Sequence, residues 1–358
     1  ALEHGTEALS MCVRKAVNEM LGSLAEDAGI RREDVFQVCV VGNTCMHHLF
    51  LGISPASLVH APYIPAVSER LVLNAGDYGV AVQERAELIM LSDIAGYVGA
   101  DTCGCLLAIR QDQQEEISLM IDIGTNGEMV LGNRERMVTC STAAGPAFEG
   151  AKIECGMRGA AGAVDHVKYE DGKWNYTTVG NKPAVGLCGS GLIDLVAGLL
   201  DAGMLDENGV LRSGQEKQGV FILVPPERGG NERGVYLTQK DLGEVQLAKA
   251  AIAAGIQMLM ERLGITEDDI CSVYIAGAFG NYMDPVSAGK IGLLPATLVK
   301  KVKPVGNAAG EGAKIALVNE KEMLEMDELV RKIEFVELAA SADFQDHFID
   351  ELGFETGE

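Results

Sequence analysis

Apolar and polar positions along the chain follow two patterns, which predict helices separated by short buried strands. In residues 7–28 and again in 242–263, apolar residues recur every three or four positions, as on the buried face of an amphipathic helix. A short continuous apolar run follows each helix, at 38–41 and 273–276, and such runs are typical of core strands. The patterns together predict an α/β fold in which mixed sheets are flanked by helices.

The two helix and strand pairs are copies of one another. Residues 29–42 match residues 264–277 without gaps, 235 positions further along the chain. Gly29 and Gly264 stand where each helix should end, and both suit left-handed C-caps. The match favours two related lobes. A chance likeness between two helix–turn–strand units is the alternative.

A glycine-rich turn between two apolar runs gives the first indication of chemistry. The run 117–123 contains Asp122 near its end, the turn Gly124-Thr125-Asn126-Gly127 follows, and further runs occupy 128–132 and 137–140. Asn-Gly between apolar runs predicts a β-hairpin. Backbone N–H groups of such a turn can hold phosphate oxygens, and the aspartate can hold a hydrated Mg²⁺. A surface hairpin with an incidental aspartate is the alternative interpretation.

Glu149 follows the third of these runs. Pro146 suits the first position of a helix, so we expect a helix there with Glu149 near its start. A carboxylate is favoured at that end by the helix dipole. Glu149 would then either position water or a metal ion, or simply stabilise the helix terminus.

A second glycine-rich turn ends the later buried strand. Gly277 and Gly280 are separated only by Ala278 and Phe279. Glycines at such a turn let the backbone approach a flat ligand such as adenine closely. The turn alone is weak evidence for a nucleotide site, and its occurrence together with the Asp122 hairpin strengthens that interpretation.

Composition limits the partners and the compartment. The formal net charge is −23 over 358 residues, which argues against nucleic acid as a partner. No apolar run approaches the ~18 residues of a membrane span, so we expect no membrane association. Nine scattered cysteines, three of them in apolar runs (Cys39, Cys140 and Cys271), suit buried, reduced thiols of a cytoplasmic protein. Cys103 and Cys105 are either small packing residues in a glycine-rich helix or a metal or redox pair.

Four runs together carry a family resemblance: 41–52, 121–128, 141–150 and 275–280. They resemble the reductive activators of corrinoid-dependent methyltransferases, within the actin, sugar kinase and Hsp70 ATPase superfamily. The resemblance implies two ribonuclease-H-like lobes. Residues 1–115 would form the first lobe, truncated at its N-terminus, and residues 116–358 the second lobe, with an insertion near 204–237.

The resemblance also implies an activity and partners. In that family, ATP hydrolysis drives electron transfer onto an inactive cob(II)alamin protein of a methyltransferase system, and a [2Fe–2S] ferredoxin-like domain precedes the ATPase domain. This chain has no ferredoxin-type cysteine run, so a cluster is expected only in a missing N-terminal part. The first lobe's counterpart of the Asp122 hairpin would fall before Ala1. We therefore expect a fragment that lacks roughly the first hundred residues of a duplicated unit.

Residue roles follow from the same resemblance. Asp122 would orient Mg²⁺ through water and take part in catalysis together with Glu149. The expected ATP-binding residues are Gly124, Thr125, Asn126 and Gly127 at the phosphates, and Gly277, Ala278, Phe279 and Gly280 at the adenosine. With only one of two phosphate hairpins, the fragment is expected to be inactive alone, and an exposed sheet edge leaves open a homodimer. The alternatives are a small-molecule kinase of the acetate or sugar type and a non-catalytic scaffold that binds nucleotide or a partner.

Overall fold

A computed structural model describes residues 5–212, 219–339 and 341–354, without the side chains of Ala278 and Phe279. The chain divides into two compact units. The first unit comprises Ala1–Glu115, Asn133–Thr139 and Asn307–Phe335. The second comprises Glu116–Gly132, Cys140–Gly306 and Val336–Glu358.

Helices and strands alternate along most of the described chain. The helices are α1 (Thr6–Ala28), α2 (Thr44–Leu51), α3 (Ala100–Ile109), α4 (Gly189–Asp201), α5 (Gln239–Leu263), α6 (Gly277–Gly280), α7 (Pro285–Lys290), α8 (Ala308–Val318), α9 (Glu320–Val330) and α10 (Ala342–Asp350). The strands are β1 (Gln37–Val40), β2 (Leu71–Asn74), β3 (Glu87–Met90), β4 (Ile117–Ile123), β5 (Gly127–Gly132), β6 (Met137–Thr142), β7 (Ala163–Glu170), β8 (Lys173–Thr178), β9 (Gly186–Leu187), β10 (Val220–Val224), β11 (Val235–Thr238), β12 (Ile270–Ala276), β13 (Val302–Gly306) and β14 (Glu334–Phe335).

The first unit is built on a small mixed sheet with the strand order β1-β3-β2. Strand β1 runs parallel to β3, and β2 runs antiparallel to it. Phe50, Leu88 and Met90 form a buried core beneath α1, which contributes Val13 and Val17 to the packing. The predicted apolar face of α1 is thus only partly covered, because other members of it, such as Leu24, are exposed.

The two helix–turn–strand copies fold as predicted. Helix α1 ends at Gly29 (φ 66°) and α5 ends at Gly264 (φ 71°), both in the left-handed region. Each glycine is followed by a single 3₁₀ turn and then by a strand. In each turn an aspartate accepts a hydrogen bond from a backbone N–H three residues earlier, Asp34 at 3.1 Å and Asp269 at 2.8 Å. The side-chain bond from Arg31 and then this backbone bond keep the pKa of Asp34 below its usual range, and at Asp269 the backbone bond from Thr266 is the main cause of a lowered pKa.

The second unit contains a sheet with the order β13-β12-β4-β5-β6. Strands β4 and β5 form the predicted antiparallel hairpin, and β12 and β13 run parallel to β4. The first residues of β6, 137–139, are assigned to the first unit, where they pair with β14. Helix α5 packs on this sheet through Ile252, beside Gly127. The chain segment between β6 and α5 forms two further small sheets, β8-β7-β9 and β10-β11, together with helix α4.

The prediction of a helix that begins at Pro146 is wrong. The segment that follows β6 forms turns, and Gly145 (φ 77°) and Gly150 (φ 80°) both have left-handed backbones that interrupt any helix. A Cβ on Gly150 would lie 2.6 Å from the backbone nitrogen of Met157, so the glycine also permits a close chain crossing. Glu149 is therefore not at a helix terminus, and no helix dipole acts on it.

Cysteines follow the predicted burial in part. Cys140 is buried, Cys39 is half-buried, but Cys271 is exposed, because its side chain points away from the core side of β12. Cys103 and Cys105 are buried in α3, and burial raises the pKa of the Cys103 thiol well above its ordinary value. Their environment is that of packing residues. None of the described helices combines the length and the hydropathy needed to cross a bilayer.

Helices α3 and α8 of the first unit cross closely at two glycines, Gly104 and Gly312. In α8, a Cβ on Gly312 would overlap the carbonyl oxygen of Gly104 in α3. We expect Gly312→Ala to lower the free energy of unfolding by about 1–3 kcal/mol through overpacking. Urea unfolding of the chain measures the change.

The matched control is Gly243→Ala in α5, where a Cβ would meet nothing within 4 Å. Alanine is favoured over glycine inside a helix, so this variant should be neutral or more stable by roughly 0.5–1 kcal/mol. An unchanged urea midpoint for Gly312→Ala would contradict the close crossing.

Candidate functional site

Two motifs that are far apart in the sequence meet at one edge of the second unit's sheet. Strands β4 and β12 are parallel neighbours, and Ala276 pairs with Asp122 in their register. The next residue, Gly277, has φ +86°, and a Cβ on it would lie 3.0 Å from Asp122 Oδ1. The glycine therefore leaves room beside the carboxylate. The hairpin aspartate and the glycine turn, predicted separately, lie side by side.

The hairpin turn is tight, and Thr125 at its tip is exposed. The N–H of Gly124 donates to the carbonyl of Asn126 at 2.9 Å, which closes the turn. Among the described residues, no acceptor is recorded for the N–H groups of Thr125 and Asn126. Thr125 is exposed, whereas Gly127 is buried and a Cβ on it would lie 2.9 Å from Thr142 Oγ1. Packing thus fixes the base of the turn, and its tip presents N–H groups of the kind that bind phosphate.

Glu149 reaches this turn from the loop after β6. Thr125 Oγ1 donates to Glu149 Oε2 at 2.5 Å, and the N–H of Gly145 donates to the carbonyl of Thr125 at 2.8 Å. Both side chains of the Thr125–Glu149 pair are exposed. The predicted neighbourhood of Glu149 and the hairpin is therefore observed, but a loop brings it about instead of a helix.

Glu128 is a site residue that the sequence reasoning missed. It lies directly across the β4–β5 pair from Asp122 and is only 8% exposed. Ser141 Oγ on β6 donates to Glu128 Oε1 at 3.3 Å. The signal was present in the sequence, because a charged residue inside an otherwise apolar buried run needs a partner. Two carboxylates opposite one another repel unless a proton or a cation lies near them.

The donor set can be tested against a divalent cation. Asp122, Glu128 and the neighbouring hydroxyl groups offer only oxygen atoms, which Mg²⁺ prefers. Within the described part of the chain, no group of three or more His, Cys, Asp or Glu side chains is arranged to hold a metal ion. The residues fit a cation held by one or two carboxylates and completed by water and substrate phosphates.

Gly280 has a reason within the chain for lacking a side chain. A Cβ on it would lie 2.6 Å from Ile275 Cγ2 and 2.8 Å from the carbonyl oxygen of Ile275. The short helix α6 therefore folds back on the end of β12, and this close packing requires a glycine. The side chains of Ala278 and Phe279 lie outside the described residues. Contact of the Gly277–Gly280 turn with adenosine remains a prediction.

Comparison with known proteins identifies both parts of the chain. Residues 116–358 match the family described as "C-terminal domain of RACo the ASKHA domain", and residues 1–114 match the "RACo middle region". The corrinoid activation enzyme RamQ of Eubacterium limosum is 34% identical over 352 residues, which cover 94% of this chain and 59% of RamQ. The "[Co(II) methylated amine-specific corrinoid protein] reductase" of Methanosarcina barkeri is 29% identical over 303 residues, which cover 78% of this chain and 54% of that protein.

A solved structure extends the comparison to three dimensions. The reductive activator for a corrinoid, iron–sulfur protein has a TM-score of 0.90 and 37% identity, covering 98% of this chain and 57% of that chain. The chain thus spans less than two thirds of the length of these relatives. The predicted actin-like ATPase fold is confirmed, while the assignment of residues 1–115 as a first lobe stays a prediction. The chain belongs to the RACo family of corrinoid reductive activators, of which it carries the middle region and the C-terminal ASKHA domain.

Proposed function

We propose that this chain is the ATPase part of a reductive activator, in which ATP hydrolysis is coupled to electron transfer onto the cob(II)alamin form of a corrinoid protein. One observation carries the proposal: Asp122 and the hairpin turn that follows it lie beside Gly277, at the same end of the paired strands β4 and β12. The names of the three relatives support the corrinoid protein as the partner. A [2Fe–2S] centre that supplies the electron would belong to sequence beyond this chain.

The hairpin would act by position and charge. The N–H groups of Thr125 and Asn126 would donate to phosphate oxygens, and the Thr125 hydroxyl would donate to a third. Asp122, together with Glu128 on the neighbouring strand, would hold the hydrated Mg²⁺. The bound cation would neutralise phosphate charge. Such phosphoryl transfer needs no covalent step on the protein, because positioning and charge neutralisation supply most of the catalysis.

Glu149 has the second role at this turn. Its carboxylate already accepts from Thr125 Oγ1, so it lies one hydrogen bond from the atom proposed to contact phosphate. A carboxylate at that distance can accept a hydrogen bond from an attacking water and hold it in line. We propose that Glu149 positions the water for hydrolysis.

ATP turnover with and without a corrinoid protein tests the proposed function. Labelled ATP should be hydrolysed faster when a cob(II)alamin protein is present, in a protein that carries this chain at the full length of its relatives. Transfer of the label to a small metabolite would instead make the protein a kinase, and the absence of turnover under all conditions would make it a scaffold.

Asp122→Asn tests the metal-holding role. The substitution keeps the shape of the side chain but removes its charge, so Mg²⁺-dependent ATP turnover should fall on the order of 10²-fold if the charge contributes ~3 kcal/mol. Turnover is measured in the full-length protein at saturating Mg²⁺. Asp268→Asn, an exposed aspartate of the same unit, is the control and should leave turnover unchanged. Equal turnover in the two variants would exclude Asp122 from the site.

The two turn glycines should respond differently to the same substitution. Gly277→Ala presses a methyl group against Asp122 Oδ1 and should weaken Mg²⁺-dependent nucleotide binding, and the left-handed backbone at this position makes the alanine cost stability as well. Gly280→Ala presses against the Ile275 backbone and should lower the free energy of unfolding by about 1–3 kcal/mol, while nucleotide binding by the folded variant changes less. Calorimetric nucleotide titrations and urea unfolding of both variants separate the two effects. Identical behaviour of the variants would argue against a distinct role for Gly277.

A further inference from the structure

A basic groove lies in the first unit, far in the sequence from the hairpin. It runs between α1 and the 3₁₀ turn Ala75–Tyr78, and its volume is about 490 Å³. Its lining includes Glu19 together with Arg14, Lys15, Arg32 and Tyr78. We call the last four residues the basic groove. Its volume lies within the range of pockets that hold ligands.

The arginines of the basic groove have no acidic partner. Arg14 Nε donates to the carbonyl of Phe50 at 2.8 Å, and its guanidinium lies 5.4 Å from the Tyr78 ring centre. Within the described ranges, no carboxylate lies within 4.0 Å of either guanidinium, whereas Lys15 has Glu19 at 3.8 Å. The chain has 52 acidic residues and only 29 Lys and Arg. Arginines that line one groove without a carboxylate partner in such an acidic protein favour an external anionic partner.

The fold also makes room for Arg32. Gly22 stands inside the 23-residue helix α1, where glycine is unfavourable. A Cβ on Gly22 would overlap the guanidinium of Arg32, so the glycine lets Arg32 lie across the helix. Gly22 thus leaves space for the Arg32 guanidinium on this side of α1.

The repeat shows what the same helix face holds in its other copy. Position by position, Arg14 corresponds to Lys249 and Gly22 to Gln257 on α5. Lys249 Nζ donates to the carbonyl of Gly353, and Gln257 Nε2 donates to Glu351 Oε1 at 2.5 Å. The face is therefore covered by the chain's own C-terminal segment, residues 342–354, which includes α10. That segment is acidic, with carboxylates at Asp343, Asp346, Asp350 and Glu351.

Phe354 completes the comparison between the two faces. Its ring lies 5.5 Å from Lys249 Nζ and is buried at the end of the C-terminal segment. In the first copy the corresponding cation, Arg14, takes its carbonyl partner from Phe50 in α2 and stacks on Tyr78, whereas the C-terminal segment lies on α5. Arg32, in turn, takes the place of Glu267, so the open face has the opposite charge at that position.

We propose that the basic groove binds a short acidic segment of a partner protein, much as α5 binds the C-terminal segment. Backbone carbonyls of the segment accept hydrogen bonds from Arg14, and its carboxylates pair with Arg32 and Lys15. A polypeptide is favoured over a small anion because the equivalent face in the other copy holds polypeptide. The proposal does not depend on ATP chemistry at the hairpin.

A labelled peptide with the sequence of residues 341–354 is the probe. In the intact chain the α5 face is already covered, so added peptide reports on the basic groove. We expect saturable binding by fluorescence anisotropy that weakens as salt rises. Arg32→Glu and Lys15→Glu should each reduce the affinity at least tenfold, whereas Lys321→Glu, an exposed lysine on α9, should not. A peptide with Asp343→Asn, Asp346→Asn and Asp350→Asn should bind at least tenfold more weakly.

Four outcomes would overturn the proposal. Two of them are an absence of binding at millimolar peptide and an affinity unchanged by both charge reversals in folded variants, with folding checked by circular dichroism. Displacement of the peptide by millimolar inorganic phosphate would make the groove a small-anion site. A concentration-dependent dimer in sedimentation that Arg32→Glu abolishes would make the occupant a second copy of this chain.

Discussion

The parallel pairing of β4 with β12 is the constraint on which the candidate site depends. Its register sets Ala276 beside Asp122, although the two residues are far apart in the sequence. The carboxyl ends of parallel strands open at the same sheet edge, so the hairpin after β4 and the turn after β12 have to meet. Gly277 then needs both its left-handed backbone and its missing side chain, since any Cβ would crowd Asp122 Oδ1. The sheet, and no local motif, places the carboxylate.

The duplicated helix–turn–strand unit shows how one backbone pattern serves two environments. Both copies keep the glycine C-cap and the aspartate in the 3₁₀ turn, because these features close the backbone locally and do not depend on what surrounds the helix. The outer helix faces have diverged instead. Helix α5 is covered by the C-terminal segment, whereas α1 leaves Leu24 and the basic groove open. An uncovered face can change its charge at little cost to folding. Arg32 accordingly stands where the other copy has Glu267.

Local backbone chemistry could be predicted from the sequence, and tertiary packing could not. The hairpin of β4 and β5 was predictable since Asn126-Gly127 suits only a few turn types, and the helix ends were predictable from Gly29 and Gly264. The prediction of a helix at Pro146 was wrong because a favourable first residue does not outweigh the left-handed backbones of Gly145 and Gly150. The packing of Gly280 against Ile275 could not be predicted, because it arises only when the chain folds back on the end of β12. The position of Glu128 depends on strand register, which only the paired sheet defines.

The hairpin turn between β4 and β5 combines a rigid base with an exposed side-chain contact that a ligand can replace. Gly127 is pressed between Thr142 and Ile252, and the N–H of Gly145 fixes the carbonyl of Thr125, so the backbone of the turn is held in place without a ligand. The Thr125 hydroxyl, in contrast, donates to an exposed carboxylate. Exchange of that acceptor for a phosphate oxygen leaves the number of hydrogen bonds unchanged, but it brings two negative groups close together at an exposed position. A cation held by Asp122 and Glu128, as proposed above, would offset that repulsion, and both carboxylates lie beside this turn.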